Sequence, residues 1–336
     1  MGDISALPFV SALLVTRNEA PYIEKSFISL AEQTYPKSRY EIIVVDGMSD
    51  DGTDEKVREL IRRYGSEDFS VRLLKNEKKI LAAGWNLGIG AARGEYVVRI
   101  DAHAEAAPDF IEKNVEVMNR VDAVCVGGRL STLSLDGDEQ AVSKVLSSPF
   151  GVGNSSFRVS DTAGYADTAV YGLYKKSVFD QVGLFNENFV RNQDIELHSR
   201  IRRAGGKFWF DPSIKCSYYS RNTVKKMMRQ AYGNGKWNMV LAKKEPSALS
   251  LRHLIPFAFV VYLLLSVVLG FFFHAVWLVM LGVLLLHLIL GFAAACAKKT
   301  TFKEKLIMPF LFMLLHLSYG TGYFAGIFTC EKNRKK

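Results

Sequence analysis

The sequence predicts an α/β domain built on a parallel, doubly wound sheet and followed by a membrane-embedded region. In the first part of the chain, short apolar runs of β type alternate with helical patterns, as expected of such a sheet. Residues 253–297 are 45 consecutive residues without Asp, Glu, Lys or Arg. That is more than twice the roughly 20 residues that a helix needs to cross a bilayer core.

Four apolar runs are predicted to be strands of this sheet: residues 9–15, 40–45, 71–74 and 96–100. After the first run, Ile23, Phe27 and Leu30 recur at helical spacing. After the second, Thr53 is predicted to cap a helix. A third helix is predicted over residues 80–92, directly before the fourth strand. Strand and helix therefore alternate throughout this region.

Polar residues follow three of the four predicted strands. Residues 16–19 follow the first strand, Asp46 follows the second and Asp101 follows the fourth. Because the carboxyl ends of parallel strands meet at one edge of a sheet, we expect these residues to line one crevice. His103 stands two residues after Asp101, and a carboxylate at a strand end suits a divalent cation held against a phosphate-bearing ligand.

Two later segments admit two interpretations each. Residues 148–157 are rich in Gly and Ser, which is typical of a flexible linker and also of a loop that shapes an acceptor cleft. Asp194 is predicted to begin a helix whose buried side carries Leu197 and Ile201. An Asp at a helix start most often caps the helix, but a capping Asp that faces a cleft can also act as a base.

The hydrophobic region is predicted to contain two membrane spans, at residues 254–273 and 275–297. A third apolar segment, residues 306–328, either crosses the membrane or is re-entrant or interfacial. The predicted organisation is a cytoplasmic catalytic domain, a basic juxtamembrane segment and a membrane domain, at residues 1–220, 221–250 and 251–330.

The net charge of +9 is concentrated near the first predicted span. Residues 221–244 contain seven cations and no acid, as expected of a flank on the cytoplasmic side or of a contact with a phosphorylated lipid. Nucleic acid is not an expected partner, because the basic stretch leads directly into the apolar segment. No signal peptide is recognisable at the start, so the expected location is the plasma membrane, with several spans and a cytoplasmic catalytic domain.

Six segments together resemble glycosyltransferase family 2, which has the GT-A nucleotide-sugar fold, and in particular its succinoglycan-biosynthesis type. They are Val15-Thr-Arg-Asn-Glu19, Val44-Val-Asp-Gly-Met-Ser-Asp-Asp-Gly-Thr53, Arg99-Ile-Asp-Ala-His-Ala104, Ser148-Pro-Phe-Gly-Val-Gly-Asn154, Arg191-Asn-Gln-Asp194 and Arg229-Gln-Ala-Tyr-Gly-Asn-Gly-Lys-Trp237. The resemblance covers roughly residues 8–245.

The resemblance implies roles for particular residues. Those on the nucleotide-sugar side are Thr16, Arg17, Asn18, Glu19, Asp46, Asn86 and Asp101. Those on the acceptor or lipid side are Gly153, Asn154, Arg229, Gln230, Lys236 and Trp237. Asp101 and His103 stand where the family has its Asp-x-Asp metal motif, for Mn²⁺ or Mg²⁺, and an imidazole nitrogen suits Mn²⁺ better. Asp194 stands where the family has its catalytic base.

The implied activity is the transfer of one sugar, with inversion, from a nucleotide sugar to a lipid-linked saccharide during cell-surface or exopolysaccharide biosynthesis. The expected donor is a UDP-sugar, and the expected acceptor is a polyprenyl-diphosphate-linked glycan beside the membrane lipids. Two alternatives stay open. In the first, the chain is a polyprenyl-phosphate glycosyltransferase. In the second, it is a non-catalytic membrane protein that binds nucleotide sugars.

Overall fold

A computed structural model of the protein describes residues 4–134, 140–153, 156–220 and 223–329. The chain divides into two compact units. The first, here called the sheet unit, comprises Met1–Thr132 and Ser156–Tyr219. The second, here called the helical unit, comprises Leu133–Ser155 and Ser220–Lys336.

The strands of the described residues form one nine-stranded sheet. They are β1 (Val10–Thr16), β2 (Tyr40–Asp46), β3 (Val71–Lys75), β4 (Tyr96–Asp101), β5 (Ala104–Ala106), β6 (Cys125–Ser134), β7 (Gly164–Ala166), β8 (Leu173–Lys175) and β9 (Phe208–Ser220). Their order is β3-β2-β1-β4-β8-β6-β9-β5, and β7 also pairs with β9. The first four strands are mutually parallel, whereas β8 is antiparallel to both β4 and β6.

The α-helices of the described residues are α1 (Ile23–Ala31), α2 (Thr53–Tyr64), α3 (Leu81–Ala91), α4 (Phe110–Arg120), α5 (Gln140–Leu146), α6 (Pro149–Val152), α7 (Ser156–Val159), α8 (Ser177–Val182), α9 (Gln193–Arg203), α10 (Val224–Lys244), α11 (Leu251–Gly270), α12 (Ala275–Cys296) and α13 (Phe302–Ile327). The four predicted strands and the third predicted helix are thus present within one or two residues of their expected bounds, and a helix follows each of the first two strands as expected.

The sheet unit has helices packed on both faces of the sheet, and alternate residues of β1 show why. Ala12 and Leu14 belong to the core on one face, together with Phe27 of α1. Leu13 belongs to the core on the opposite face, together with Trp85 of α3. Successive strand residues point to opposite faces, so a strand buried on both sides reads as a continuous apolar run. The predicted α/β fold class is confirmed.

One local prediction is wrong, because Thr53 does not cap α2. The residue before the helix is Gly52, whose φ of +90° suits a residue without a Cβ. Thr53 is the first helical residue, and its backbone N–H donates to a carboxylate oxygen of Asp51 at 3.1 Å. The hydroxyl of Thr53 accepts a hydrogen bond from the backbone N–H of Glu19 at 2.9 Å, and so ties the β1 turn to α2.

The helical unit contains the apolar part of the chain. Three of its helices, α11, α12 and α13, are long and apolar enough to cross a membrane by length and composition. They occupy the three predicted segments within a few residues. Pro256 lies inside α11, and the break between α11 and α12 falls at residues 271–274. Gly270 faces the indole of Trp277, which permits the two helices to pack closely beside this turn.

Candidate active site

The strand register brings the predicted polar residues to one edge of the sheet. Thr16 at the end of β1 lies opposite Asp46 of β2, and Val15 lies opposite Asp101 of β4. The strand β1 sits between β2 and β4, where the strand order reverses. Such a switch point leaves a crevice outside the carboxyl ends of the strands, because the flanking connections lead away on opposite faces.

A cavity of about 270 Å³ opens at this edge. It is lined by Val15, Thr16, Arg17, Glu19, Gly47, Asn76, Lys79, Ile80, Leu81, Asp101, Ala102 and His103. The buried hydroxyl of Thr16 has no hydrogen-bond partner among the described residues, so a donor or acceptor on a bound molecule would satisfy it. The structure thus gathers Thr16, Arg17, Glu19, Asp101 and His103 around one space.

Asn18 does not line the cavity but connects the turns that form its wall. Its φ of +55° lies in the left-handed region, which Asn tolerates better than most residues. The backbone N–H of Asn18 donates to the hydroxyl of Ser49 at 2.9 Å, and its side-chain oxygen accepts from the backbone N–H of Asp50 at 3.1 Å. The turn after β1 and the turn after β2 are therefore held together.

Asp46 is fully buried beneath the same turns. Its carboxylate accepts a hydrogen bond from the Ser49 hydroxyl at 2.5 Å and lies 3.0 Å from the ammonium of Lys75. Lys75 also pairs with Asp54 at 2.6 Å. Burial disfavours the charged form of Lys75, but the hydrogen bonds from Lys75 to the two carboxylates outweigh this and raise its pKa. The Asp46 side chain is not among the groups that line the cavity.

Asn86 lies on α3 and is also absent from the cavity lining. Its side-chain amide donates to the backbone carbonyl of Phe185 at 2.9 Å and accepts from the backbone N–H of the same residue at 2.9 Å. A weaker contact of 3.3 Å reaches Glu187. Asn86 therefore secures the loop that follows α8.

Asp101 is held by a tyrosine that sequence reasoning missed. The hydroxyl of Tyr171 donates to Oδ2 of Asp101 at 3.1 Å. Tyr171 has a φ of +46°, an uncommon backbone conformation for a bulky residue. Burial, together with the nearby Asp101, raises the pKa of Tyr171 well above its ordinary value, so the hydroxyl keeps its proton and remains a donor. No motif marks Tyr171 in the sequence.

His103 faces a carboxylate across the cavity. Its Nδ1 lies 3.2 Å from Oε1 of Glu19, and its ring meets Tyr218 edge to face at 4.7 Å between centroids. Burial disfavours the imidazolium, but Glu19 and Asp101 outweigh burial and raise the pKa of His103. Because Nδ1 is directed to Glu19, Nε2 is the nitrogen left for a ligand.

Arg99 is a second residue near the site to which sequence reasoning assigned no role. It is only 8% exposed, and its guanidinium lies 5.3 Å from the ring centre of Trp85 and 5.5 Å from that of Phe185. Its Nη2 lies 3.6 Å from Oδ2 of Asp194. Arg99 stands two residues before Asp101 on β4, so both side chains project from the same face of the strand. The two-residue spacing between Arg99 and Asp101 is the sequence feature that could have indicated a place for Arg99 near the site.

Asp194 is the second residue of α9, as the sequence suggested, but its side chain does not cap the helix. Asn192, with a φ of +60°, precedes the helix, and Oδ1 of Asp194 accepts from the adjacent backbone N–H of Ile195. The Asp194 side chain is 41% exposed and is not part of the cavity lining. Burial disfavours the charged form of Arg99, but Tyr174, Asp194 and Asp101 outweigh burial and raise the pKa of Arg99.

Beneath this arrangement, α9 is anchored by a buried histidine. Nδ1 of His198 lies 2.7 Å from the hydroxyl of Thr168, and Nε2 lies 2.7 Å from the hydroxyl of Tyr174. Burial lowers the pKa of His198 to about 3, so the ring is neutral at physiological pH. A neutral imidazole bonded at both nitrogens fixes the helix that carries Asp194.

The residues predicted on the acceptor side belong to the helical unit. Gly153 follows α6 with a φ of +68° and lies against the side chain of Arg252. The other described members of this set lie on α10 and are Arg229, Gln230, Lys236 and Trp237. Asn154 lies outside the described residues.

The side chains beside the cavity offer only part of the ligand set of a metal ion. Among the described residues, no group of three or more His, Cys, Asp or Glu side chains is arranged to hold a metal ion. Asp101 and Nε2 of His103 nevertheless offer one carboxylate and one imidazole beside the cavity. Divalent cations at phosphate sites are commonly bound by one or two protein groups plus substrate oxygens, so this donor pair fits such an ion.

A sheet with a polar crevice at its switch point belongs to the class of α/β folds that bind ligands outside the carboxyl ends of their strands. Residues 11–183 match the sequence model of Glycosyl transferase family 2. The chain therefore belongs to this family and is a glycosyltransferase.

Two curated relatives extend the likeness beyond the matched domain. A Methanococcus voltae protein named dolichyl N-acetyl-alpha-D-glucosaminyl phosphate 3-beta-D-2,3-diacetamido-2,3-dideoxy-beta-D-glucuronosyltransferase is 28% identical over 325 residues, 95% of this chain and 97% of that protein. The succinoglycan biosynthesis protein ExoA from Rhizobium meliloti is 30% identical over 243 residues, 72% of each chain. The predicted resemblance to the succinoglycan type is confirmed.

Among solved structures, the chain is similar to the mannosyltransferase PcManGT from Pyrobaculum calidifontis, determined in complex with GDP-Man and Mn²⁺. The identity is 19%, the TM-score is 0.62, and the match covers 94% of this chain and 88% of that one. At this identity the likeness concerns the fold, and the predicted GT-A fold is confirmed.

Proposed function

We propose that the protein transfers one sugar, with inversion, from a nucleotide sugar to a lipid-linked saccharide in cell-surface or exopolysaccharide biosynthesis. The observation that carries the proposal is that Asp101 lines the cavity, while Arg99, two residues before it on β4, lies 3.6 Å from the carboxylate of Asp194 at the start of α9. The names of the Methanococcus voltae and Rhizobium meliloti relatives, which refer to a lipid-linked acceptor and to an exopolysaccharide, support this substrate class.

The donor side of the reaction is the cavity at the β1–β4 edge. In our proposal the nucleoside of a UDP-sugar is bound there by the turn at residues 16–19, with Asp46 and Asn86 supporting its walls. Asp101 and His103 would hold Mn²⁺ or Mg²⁺, and the Mn²⁺ bound to the solved mannosyltransferase supports a divalent ion. When bound, the ion would supply neutralisation of the negative charge that develops on the leaving diphosphate.

Asp194 acts as the general base in this proposal. Its exposed carboxylate takes the proton from the acceptor hydroxyl while that oxygen attacks the anomeric carbon from the face opposite the diphosphate. A single displacement of this kind inverts the anomeric configuration. Arg99 does not react; it positions the Asp194 carboxylate by charge and is itself held by the rings of Trp85 and Phe185.

The acceptor side is proposed to lie at the membrane. The cations of α10, together with Gly153 and Trp237, are proposed to contact a polyprenyl-diphosphate-linked glycan and the surrounding lipids. Residues 1–220 form the catalytic domain on the cytoplasmic side of the plasma membrane, residues 221–250 the juxtamembrane segment and residues 251–330 the membrane domain.

The proposal is tested with membranes containing the full-length protein, a panel of radiolabelled sugars that includes UDP-sugars and GDP-mannose, and two acceptors. One acceptor is a polyprenyl-diphosphate-linked sugar and the other is polyprenyl phosphate. We expect transfer from a UDP-sugar to the first acceptor, dependent on Mn²⁺ or Mg²⁺. Transfer to polyprenyl phosphate alone would replace the proposal by the polyprenyl-phosphate alternative, and binding of the donor without transfer would indicate a non-catalytic protein.

Two variants assign the carboxylates. Asp194→Asn should lower kcat about 10²- to 10⁴-fold while donor binding persists. Asp101→Ala should abolish metal-dependent donor binding. Asp122→Asn, which changes a carboxylate paired with Lys207 on the surface, is the matched control and should leave both unchanged. Near-normal turnover of the Asp194 variant would refute the assignment of the base.

A further inference from the structure

Two helices of the helical unit, α10 and α13, are in backbone contact at three glycines. A Cβ at Gly235 of α10 would collide with the backbone carbonyl of Tyr319 on α13. Two glycines of α13 are equally close to the backbone of α10. A Cβ at Gly322 would collide with the carbonyl of Tyr232, and one at Gly326 with that of Lys236. Small residues at matching positions permit two helix backbones to approach this closely. The two helices therefore form one unit, here called the α10–α13 pair.

The α10–α13 pair is parallel, because its contacts advance together along both helices. Tyr232 meets Gly322 and Lys236 meets Gly326. Further along, the ammonium of Lys243 donates to the carbonyl of Gly326 at 3.0 Å and to that of Ile327. The carboxyl-terminal ends of the two helices thus lie side by side.

Cations are spread along the whole of α10 and exclude it from a bilayer core. They are Lys225, Lys226, Arg229, Lys236, Lys243 and Lys244. Charged side chains within a membrane span are costly and rare, and these are distributed over a helix long enough to span. A partner helix in parallel backbone contact with α10 is constrained to the same depth. The third apolar helix, α13, is therefore not free to cross the membrane.

The contacts of α13 with the other two apolar helices also indicate that α13 lies at the depth of α10, outside the bilayer core. α11 and α12 form an antiparallel hairpin, in which Phe259 stacks on His287 at 5.3 Å between ring centres. The carboxyl-terminal part of α13 meets the beginning of α11, since the hydroxyl of Tyr323 donates to the carbonyl of His253 at 2.8 Å. The amino-terminal part of α13 meets the end of α12, where Pro309 lies against Gly291.

Pro309 and Tyr323, which lie in opposite halves of α13, are therefore both close to the open end of the α11–α12 hairpin. A helix of 26 residues is about 39 Å long, so it cannot begin and end at one level unless it lies across the hairpin rather than along it. At the closed end of the hairpin, large apolar side chains are more than half exposed, as expected of a surface that faces lipid. They include Leu264, Leu265, Val268, Leu278, Val279 and Leu281.

We propose that the α10–α13 pair lies in the plane of the membrane, in the interfacial layer of the leaflet where α11 begins, and that only α11 and α12 cross. The partner of this surface is a leaflet with anionic headgroups. The cations of α10 meet the headgroups, and an outer apolar stripe of α13 enters the acyl region. The most exposed members of that stripe are Phe302, Leu306 and Phe310, and Phe328, directly after the helix, is also exposed.

This arrangement has a consequence for the end of the chain. The basic segment Glu331–Lys336 follows α13 in the sequence. If α13 crossed the membrane, this segment would emerge on the side opposite the other basic loops, against the usual charge distribution. With α13 in the plane, all basic segments of the hydrophobic region remain on one side.

Membrane sidedness is the first test. In sealed cells and in inverted vesicles, a membrane-impermeant maleimide is applied and labelling is read by peptide mass spectrometry at the native Cys330. The controls are His274→Cys at the hairpin tip and Lys299→Cys between α12 and α13. We expect Cys330 to be labelled from the same side as Lys299→Cys and from the opposite side to His274→Cys. Labelling of Cys330 together with His274→Cys would overturn the proposal.

Depth within the bilayer is the second test. A fluorophore is attached at Leu306→Cys, Phe310→Cys or Phe328→Cys in protein reconstituted with anionic phospholipid vesicles that contain quencher lipids at known depth. We expect the three positions to have similar, shallow depths. Leu254→Cys and Leu265→Cys on α11 serve as controls and should differ by the rise of a spanning helix, about 16 Å. A steady gradient of depth along α13, or full accessibility to an aqueous quencher, would contradict an in-plane helix.

Discussion

Nη2 of Arg99 lies 3.6 Å from Oδ2 of Asp194, and the same arginine stands two residues before Asp101 on β4. The guanidinium is held over Trp85 and beside Phe185, so its position is fixed by packing. Arg99 thereby gives the proposed base a defined direction relative to the cavity.

The first prediction concerns this positioning. Arg99→Lys keeps the charge but loses the planar group that stacks on the two rings, so Asp194 should be displaced. Because small misplacements of a reacting group are costly, we expect kcat to fall about 10²-fold, with a smaller change in the donor KM. Steady-state kinetics would measure kcat and the donor KM separately. Arg120→Lys, which changes an exposed arginine that pairs with Asp211 away from the cavity, is the control and should have little effect. Unchanged kcat in Arg99→Lys would refute the positioning role.

The second prediction concerns the support of Asp101. Tyr171→Phe removes the hydroxyl that donates to its carboxylate at 3.1 Å. Groups that orient a metal ligand typically affect metal affinity by about 10- to 100-fold. We therefore expect the Mn²⁺ concentration for half-maximal rate to rise by about 10-fold, with activity restored at saturating Mn²⁺. Tyr96→Phe, whose hydroxyl bonds to Asn119 at the surface, should behave as the wild type. An unaltered Mn²⁺ dependence in Tyr171→Phe would contradict the prediction.

The third prediction separates two roles for Asn86. The side-chain amide is committed to the backbone of Phe185, so Asn86→Ala leaves a backbone donor and an acceptor without their partner. We expect a loss of about 1–3 kcal/mol in the free energy of unfolding and little change in donor Kd. Thermal unfolding and donor binding are measured side by side, with Asn119→Ala as a surface control. A large rise in Kd without loss of stability would instead support direct contact with the nucleotide.

The fourth prediction is a pH dependence of stability that arises from His198. Its pKa is about 3 in the folded protein because the ring is buried, against an ordinary value of about 6.5 when unfolded. Between these values the unfolded state binds the extra proton, so stability is full above pH 6.5 and is lost as the pH falls toward 3. The loss approaches about 1.4 kcal/mol per pH unit.

The measurement for this prediction is chemical unfolding of the detergent-purified protein between pH 7.5 and pH 5. His198→Gln, which can still hydrogen bond to Thr168 and Tyr174, should show a shallower decline of stability with falling pH than the wild type. His274→Gln, at the exposed hairpin turn, should keep the wild-type slope. Equal slopes in His198→Gln and the wild type would show that another group governs the acid sensitivity.

Much of the fold was predictable because it depends on patterns within single elements. The runs that became β1 to β4 are apolar throughout, as strands buried on both faces must be, and the residues that follow them were expected at one sheet edge. The cap of α2 was mispredicted because Thr53 and Gly52 are both plausible at a helix start. Only the conformation of the turn, with Gly52 at positive φ, distinguishes them.

The sequence by itself determined the alternation of β1 to β4 with α1 to α3, the polar edge with Asp46 and Asp101, the helix that carries Asp194 and the apolar character of α11 to α13. These follow from side-chain periodicity along a continuous stretch of chain. Only the tertiary structure decided that Arg99 meets Asp194, that Tyr171 holds Asp101 and that α13 packs along the basic helix α10. Those pairings join residues that are distant in sequence, and packing among whole elements selects them.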